Sequence, residues 1–156
     1  MILIYNDKIT QDAPVYYKKG TELYNSGKYQ EAYYYFGKIN KISPLYHTAL
    51  FKQAKSAQKT GDYKTAALKY DMYLKKAPEA VFSKNARLNL AKSCFYIKDY
   101  ECARQEFEKS AERTNNLGTA ETIFLGLIEK NFDKEKAAEY YRKYLYSALS
   151  GGTLDG

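Results

Sequence analysis

The chain has 156 residues, the size of one ordinary domain, with 45% apolar residues to build a core and 28% charged residues to keep it in water. No stretch approaches the roughly 18 consecutive apolar residues needed to cross a membrane, and the apolar run over residues 1–5 is too short for a signal-peptide core and lacks its flanks. The net charge of +7 is uneven, with five lysines against two glutamates over 13–46 and seven lysines against three acids over 47–80, which favours an acidic partner and allows nucleic acid.

Residues 1–12 carry no periodic signal and their structure is left open. From Ala13, Tyr16, Gly20, Leu23 and Tyr24 fall on one helical face, and the Asn25-Ser26-Gly27 cluster breaks that helix. A second helix is expected from about Tyr29 to Lys41, ended by Ser43-Pro44, because proline disfavours helical geometry in the residue before it. Leu50, Ala54 and Ala57 line a third helix. After a turn at Lys59-Thr60-Gly61-Asp62, Ala66, Tyr70 and Tyr73 line a return helix that runs to Pro78. The next pair has faces at Leu90, Ala91, Cys94 and at Ala103, Phe107, Ser110. Its first helix is expected to start early, near Ala80, and Asn115-Asn116 takes the place of the proline. In the last pair, Leu125, Gly126 and Ile128 are followed by Asn131-Phe132-Asp133 and then by Ala137, Tyr141 and Tyr144. Residues 150–156 are expected to be disordered.

These segments are copies of one unit. Ala32, Ala66, Ala103 and Ala137 recur at steps of 34, 37 and 34 residues, each followed four residues later by an aromatic: Phe36, Tyr70, Phe107, Tyr141. A small residue keeps step upstream at Gly20, Ala54, Ala91 and Gly126. Self-similarity at this period marks a solenoid of helical hairpins, none of which can bury its apolar face alone. A small residue on each helix lets the two backbones approach, and the ring fills the gap beside them.

The pattern resembles the tetratricopeptide repeat family. Unit one reads Tyr16, Lys19-Gly20, Leu23, Ala32, Phe36, Pro44; unit two reads Leu50, Gln53-Ala54, Ala57, Ala66, Tyr70, Pro78. Unit three reads Leu90-Ala91, Cys94, Ala103, Phe107, with Arg87 at the first aromatic position, and unit four reads Leu125-Gly126, Ala137, Tyr141. Tryptophan is absent, Lys19 and Gln53 stand where leucine is usual, and units three and four lack the proline. The resemblance implies an all-α, right-handed superhelical solenoid of antiparallel helix pairs over 13–149, in units of about 13–46, 47–80, 81–116 and 117–149.

It also implies that the first helices line a concave groove. By analogy the groove carries Tyr17, Thr21, Tyr24, Phe51, Lys55, Gln58, Lys59, Asn85, Leu88, Lys92, Phe95 and Tyr96, with Thr122 and Lys130 from unit four. Aromatic rings rimmed by lysines suit a peptide or partner protein with apolar and acidic groups; alternatively the rings pack between neighbouring repeats. The family's two-carboxylate clamp for the acidic C-terminus of heat-shock chaperones needs Lys and Asn in the first unit, where this chain has Tyr17 and Thr21, so that partner is disfavoured.

Catalytic chemistry is not expected. There is no phosphate-binding glycine loop, and His47, the single histidine, is placed at a helix start where it caps or faces water. Cys94 and Cys102 match no metal motif. They read as small hydrophobic thiols, or as a disulfide if the two helices bring them together. No metal or cofactor is expected.

The expected function is a non-catalytic interaction scaffold that assists assembly of a multiprotein complex, by analogy with bacterial envelope or secretion systems. The chain as given is expected to be soluble, in the cytoplasm, or in the periplasm or at the envelope if it is a processed or excised fragment. Two alternatives stand beside the scaffold. One is nucleic-acid binding, less favoured because the lysines spread over both helices of each unit. The other is a homo-oligomer formed through the C-terminal repeat, whose last helix is rich in Tyr and Leu.

Overall fold

The computed structural model describes residues 11–76, 78, 81–112 and 118–149. Every regular element among them is a helix, and they form four pairs: α1 (Ala13–Asn25) with α2 (Tyr29–Gly37), α3 (Tyr46–Lys59) with α4 (Tyr63–Lys76), α5 (Ser83–Tyr96) with α6 (Tyr100–Glu112), and α7 (Thr119–Glu129) with α8 (Lys134–Leu149). Each helix packs on its pair partner, and each second helix also packs on the first helix of the next pair.

The hairpin turns follow from backbone hydrogen bonding at helix ends. α1 and α3 close on left-handed glycines, Gly27 (φ 77°) and Gly61 (φ 81°). The residue after each glycine donates its N–H back to the last turn, Lys28 to the Leu23 carbonyl at 2.9 Å and Asp62 to Ala57 at 3.0 Å. Lys98 makes the same turn after α5 at φ 65°, where an L side chain is strained by about 1 kcal/mol. The fourth turn does without a left-handed residue, which is why only 11 positions separate Gly126 from Ala137 where the other units have 12. Asp62, Asp99 and Asp133 then start the return helices by accepting backbone N–H groups two or three residues on.

The spaced small residues work as expected. A Cβ on Gly20 would lie 2.8 Å from the Phe36 ring, and one on Gly126 would lie 2.7 Å from Tyr141. Ala32, Ala54, Ala66, Ala91 and Ala103 are fully enclosed. One apolar cluster runs from Leu50 to Ile128 through the last three pairs, and a second surrounds Leu23, Ala32 and Phe36 in the first.

Three expectations are corrected. α2 ends at Gly37, not near Lys41. Glycine has poor helix propensity, and the side-chain amide of Gln53 in the next pair occupies the space a Cβ would need, 2.6 Å away. Lys38 and Ile39 then bond to the Tyr35 and Phe36 carbonyls in a tighter turn. α5 begins at Ser83 rather than near Ala80, so the three extra residues of that step lie between Pro78 and Ser83 and leave the helix register intact. Cys94 and Cys102 are not free thiols: they form a disulfide with a Cα–Cα distance of 5.9 Å that ties α5 to α6. Residues 1–10, the Asn115-Asn116 breaker and the 150–156 tail lie outside the described residues.

Candidate functional site

The residues expected to line the inner face divide into those the packing consumes and those it leaves accessible. Phe51 is consumed. It is only 4% exposed, stacks on Phe82, the residue just before α5, at 4.8 Å between ring centroids, and meets Tyr70 and Tyr73 of α4 edge-on or tilted. It therefore spaces the second and third pairs and is unavailable to a ligand. Leu88 is half-buried against the same core. Gln58 accepts a hydrogen bond from the buried Tyr70 hydroxyl at 3.1 Å, and burial pushes that hydroxyl far above the ordinary tyrosine range. Thr122 is buried and donates to the Gly118 carbonyl. Thr21 likewise donates to the Tyr17 carbonyl, and the half-buried Tyr17 ring sits edge-on to Phe36.

What remains accessible is cationic and aromatic. Lys52 and Lys55 both stand over the Tyr24 ring of the first pair, each 5.8 Å from its centroid. Lys55 is half-buried, and its ammonium is held below the ordinary lysine range by burial first and then by the charges of Lys52 and Lys59. None of these three lysines pairs with a carboxylate among the described residues. Farther along, Tyr96 is 52% exposed and stacks on Tyr63 of α4 at 4.4 Å. Phe95 packs against Tyr96, Tyr100 and Phe124, and Lys92 stands over Phe124 at 5.9 Å. Asn85, Lys59 and Lys130 are exposed.

Sequence reasoning missed Lys52 and Tyr63. Lys52 was legible, since Lys52, Lys55 and Lys59 follow the i, i+3, i+7 spacing of one helical face. Tyr63 was not, because it reaches Tyr96 only through the stacking of one pair on the next. His47 is exposed in the first turn of α3. Among the described residues, no group of His, Cys, Asp and Glu is arranged to hold a metal, and no helix is long and apolar enough to cross a membrane.

The fold has solved counterparts. MamA from Desulfovibrio magneticus RS-1, residue 41 to the end, superposes with a TM-score of 0.74 at 23% identity, over 91% of this chain and 78% of that one. Another MamA crystal structure gives 0.75 at 19% identity, over 87% and 73%. The TPR domain of Sgt2 from Aspergillus fumigatus gives 0.58 at 19% identity, over 93% and 86%. At these identities the likeness is one of fold. In sequence, the chain is 37% identical over 60 residues to the uncharacterized protein MJ0572 of Methanocaldococcus jannaschii, a stretch that makes up 38% of this chain and 70% of that protein. No family model matches the chain.

Proposed function

We propose that the chain, whose four helical hairpins share the fold of MamA and of the Sgt2 TPR domain, is a non-catalytic scaffold of tetratricopeptide type that holds a peptide or partner protein along its first helices and thereby assists assembly of a multiprotein complex. One observation carries the acidic, partly apolar character of that partner. Lys52 and Lys55 stand over the Tyr24 ring, Lys59 adds its charge to that of Lys55, none of the three has a carboxylate partner among the described residues, and Lys55 is partly desolvated in their company. Like charges held this close destabilise the free protein. An acidic segment laid across them relieves the repulsion, while Tyr24 and Tyr96 offer rings to its apolar side chains.

A second reading, self-association, is favoured by α8. Leu145 follows Ala137 by eight residues, the register at which Leu74 follows Ala66. Leu74 is 7% exposed beneath the next pair, whereas Leu145 is 54% exposed.

The test is fluorescence anisotropy with three labelled probes: a Glu/Phe peptide, a Lys/Phe peptide of equal length and an oligothymidine strand. The Glu/Phe peptide is expected to bind, and the triple change Lys52→Met, Lys55→Met, Lys59→Met is expected to weaken it at least ~10-fold with helix content unchanged. Preferential binding of the oligonucleotide, collapsing steeply with salt, would replace the scaffold by a nucleic-acid binder. Light scattering on the same samples reads the second alternative: concentration-dependent dimers that the triple change leaves intact would favour docking through α8.

A further inference from the structure

α2 is short for its place in the array. It stops five residues after its marker alanine, at Gly37, while α4 continues for ten residues past Ala66, to Lys76. In the seam between the second and third pairs, that extra length carries Tyr73 and Leu74, which fill the space beneath the next helix. In the seam between the first and second pairs the chain leaves the helix at that point, with only Ile39 buried at the register of Tyr73, and a cleft of about 360 Å³ remains. It shares no residue with the lysine and tyrosine cluster of the inner face.

The walls of this cleft have a definite chemistry. Phe36, Ile39 and Leu50 are buried and form an apolar floor, with Tyr46 and Met72 beside them. Gln53 is fixed by its amide, which donates to the Tyr33 carbonyl at 3.3 Å. Lys69 lines the cleft from α4 and is half-buried, its ammonium 5.9 Å from the Tyr33 ring centroid. Desolvation holds it below the ordinary lysine range, and no carboxylate among the described residues pairs with it. At the rim stand Lys41 and Asn40, whose side-chain oxygen is engaged by the Ile42 N–H, leaving its amide nitrogen as a donor. A partly desolvated cation beside apolar walls lacks only an anion with an apolar body.

We propose that the cleft between α2, α3 and α4 is a binding site for a small organic carboxylate, with Lys69 as the charge partner of the carboxylate and Phe36, Leu50 and Met72 as the seat of its apolar part. The volume is that of a small-molecule site rather than of a protein interface. A charge-assisted hydrogen bond to the half-buried Lys69 discriminates against neutral analogues, because they leave its ammonium partly desolvated and unpaired. Occupancy also couples the first pair to the second, since the ligand would touch residues on both sides of the seam.

The test uses 1-naphthoate as the probe and 1-naphthalenemethanol as its neutral counterpart, with binding followed by calorimetry and by backbone amide NMR. Naphthoate is expected to bind the unmodified chain at least ~10-fold more tightly than the alcohol does, shifting the amides of Gly37, Gln53 and Met72. Lys69→Met keeps the stem volume and is expected to lose that preference, and Met72→Trp is expected to block the cleft without changing charge. Lys64→Met, on an exposed position of the same helix, is the control and should bind naphthoate as before. Equal affinity for the two probes, naphthoate affinity unchanged by Lys69→Met, or shifts centred on Tyr24 and Lys55 instead would each overturn the assignment.

Discussion

The first two helix pairs and the last two solve the same packing problem by different means, and the difference is sharpest at one pair of facing positions. Three residues after the small residue of the first helix, and one residue before the alanine of the second, the four pairs carry Leu23 and Glu31, Ala57 and Thr65, Cys94 and Cys102, Glu129 and Lys136. The first two pairs leave this spot to ordinary side chains. The third closes it with a disulfide, and the fourth closes it with an ion pair of 3.2 Å in which the Glu129 side chain is 1% exposed. The pattern extends to the return helices. α4 presents Ala67 and Tyr73 to the next pair, where α6 presents Arg104 and Ser110. Arg104 reaches 3.8 Å from Glu129 across the last seam and 2.6 Å from Glu101 on its own helix. Glu106 is likewise held at 2.7 Å by both Arg87 and Lys109. One half relies on rings and small residues; the other keeps a ring seam, with Phe107 stacked on Phe124 at 5.2 Å, and adds cross-links to it.

That contrast breaks most clearly at Tyr70, a fully buried ring at the centre of the apolar half. Tyr70→Ala removes the ring that Phe51 packs on, leaves a cavity and strands Gln58, at a cost of about 3–5 kcal/mol. In urea denaturation the loss should be the same with and without a thiol reductant. If reductant changes its size substantially, the two halves are one cooperative unit at this level and the division above is too sharp. Reduction of the Cys94–Cys102 bond is the next largest effect. It frees a loop with a sequence separation of 8, worth about 2–3 kcal/mol in the chain-entropy account. Hydrogen exchange should show the loss in α5 to α8 and little change in α1 to α4. A uniform loss along the chain would argue against a separately stapled C-terminal half.

The hairpins were legible because close helix approach demands small side chains at fixed spacing, and Gly20, Ala54, Ala91 and Gly126 with their partner rings write that demand directly into the sequence. What escaped depends on contacts between pairs. Nothing local to Gly37 announces that the Gln53 amide will occupy its flank and that α2 will stop there. Phe51 was assigned to the open face because it lies three residues before Ala54, a register the resemblance gives to the groove. In the stack that register is taken up by packing: Tyr17 meets Phe36 within its own pair, and Phe51 meets Phe82 across the seam. The disulfide was open on sequence because seven intervening residues could equally keep two thiols apart. The left-handed turn at Lys98 is what brings α5 and α6 back into register there.

The smallest expected effect concerns Lys55, and its sign separates stability from binding. Burial, with Lys52 and Lys59 nearby, lowers its folded pKa below the ordinary lysine value. The unfolded chain therefore binds more protons than the folded chain between those two values, and stability rises with pH across that window. Above the ordinary lysine range both states are neutral at this position and no penalty exists. Once pH has fallen below the depressed value, the penalty is complete. Lys55 is partly exposed, so solvent screening keeps the effect small. Lys55→Met is expected to leave stability at neutral pH within about 0.5 kcal/mol of the unmodified chain, on the stabilising side, and to flatten the rise on approach to the lysine range. The same change should weaken the Glu/Phe peptide. A site that costs stability in the free protein and returns it on binding has this signature; Lys55→Met that is clearly destabilising would instead make the lysine stem part of the packing between α1 and α3.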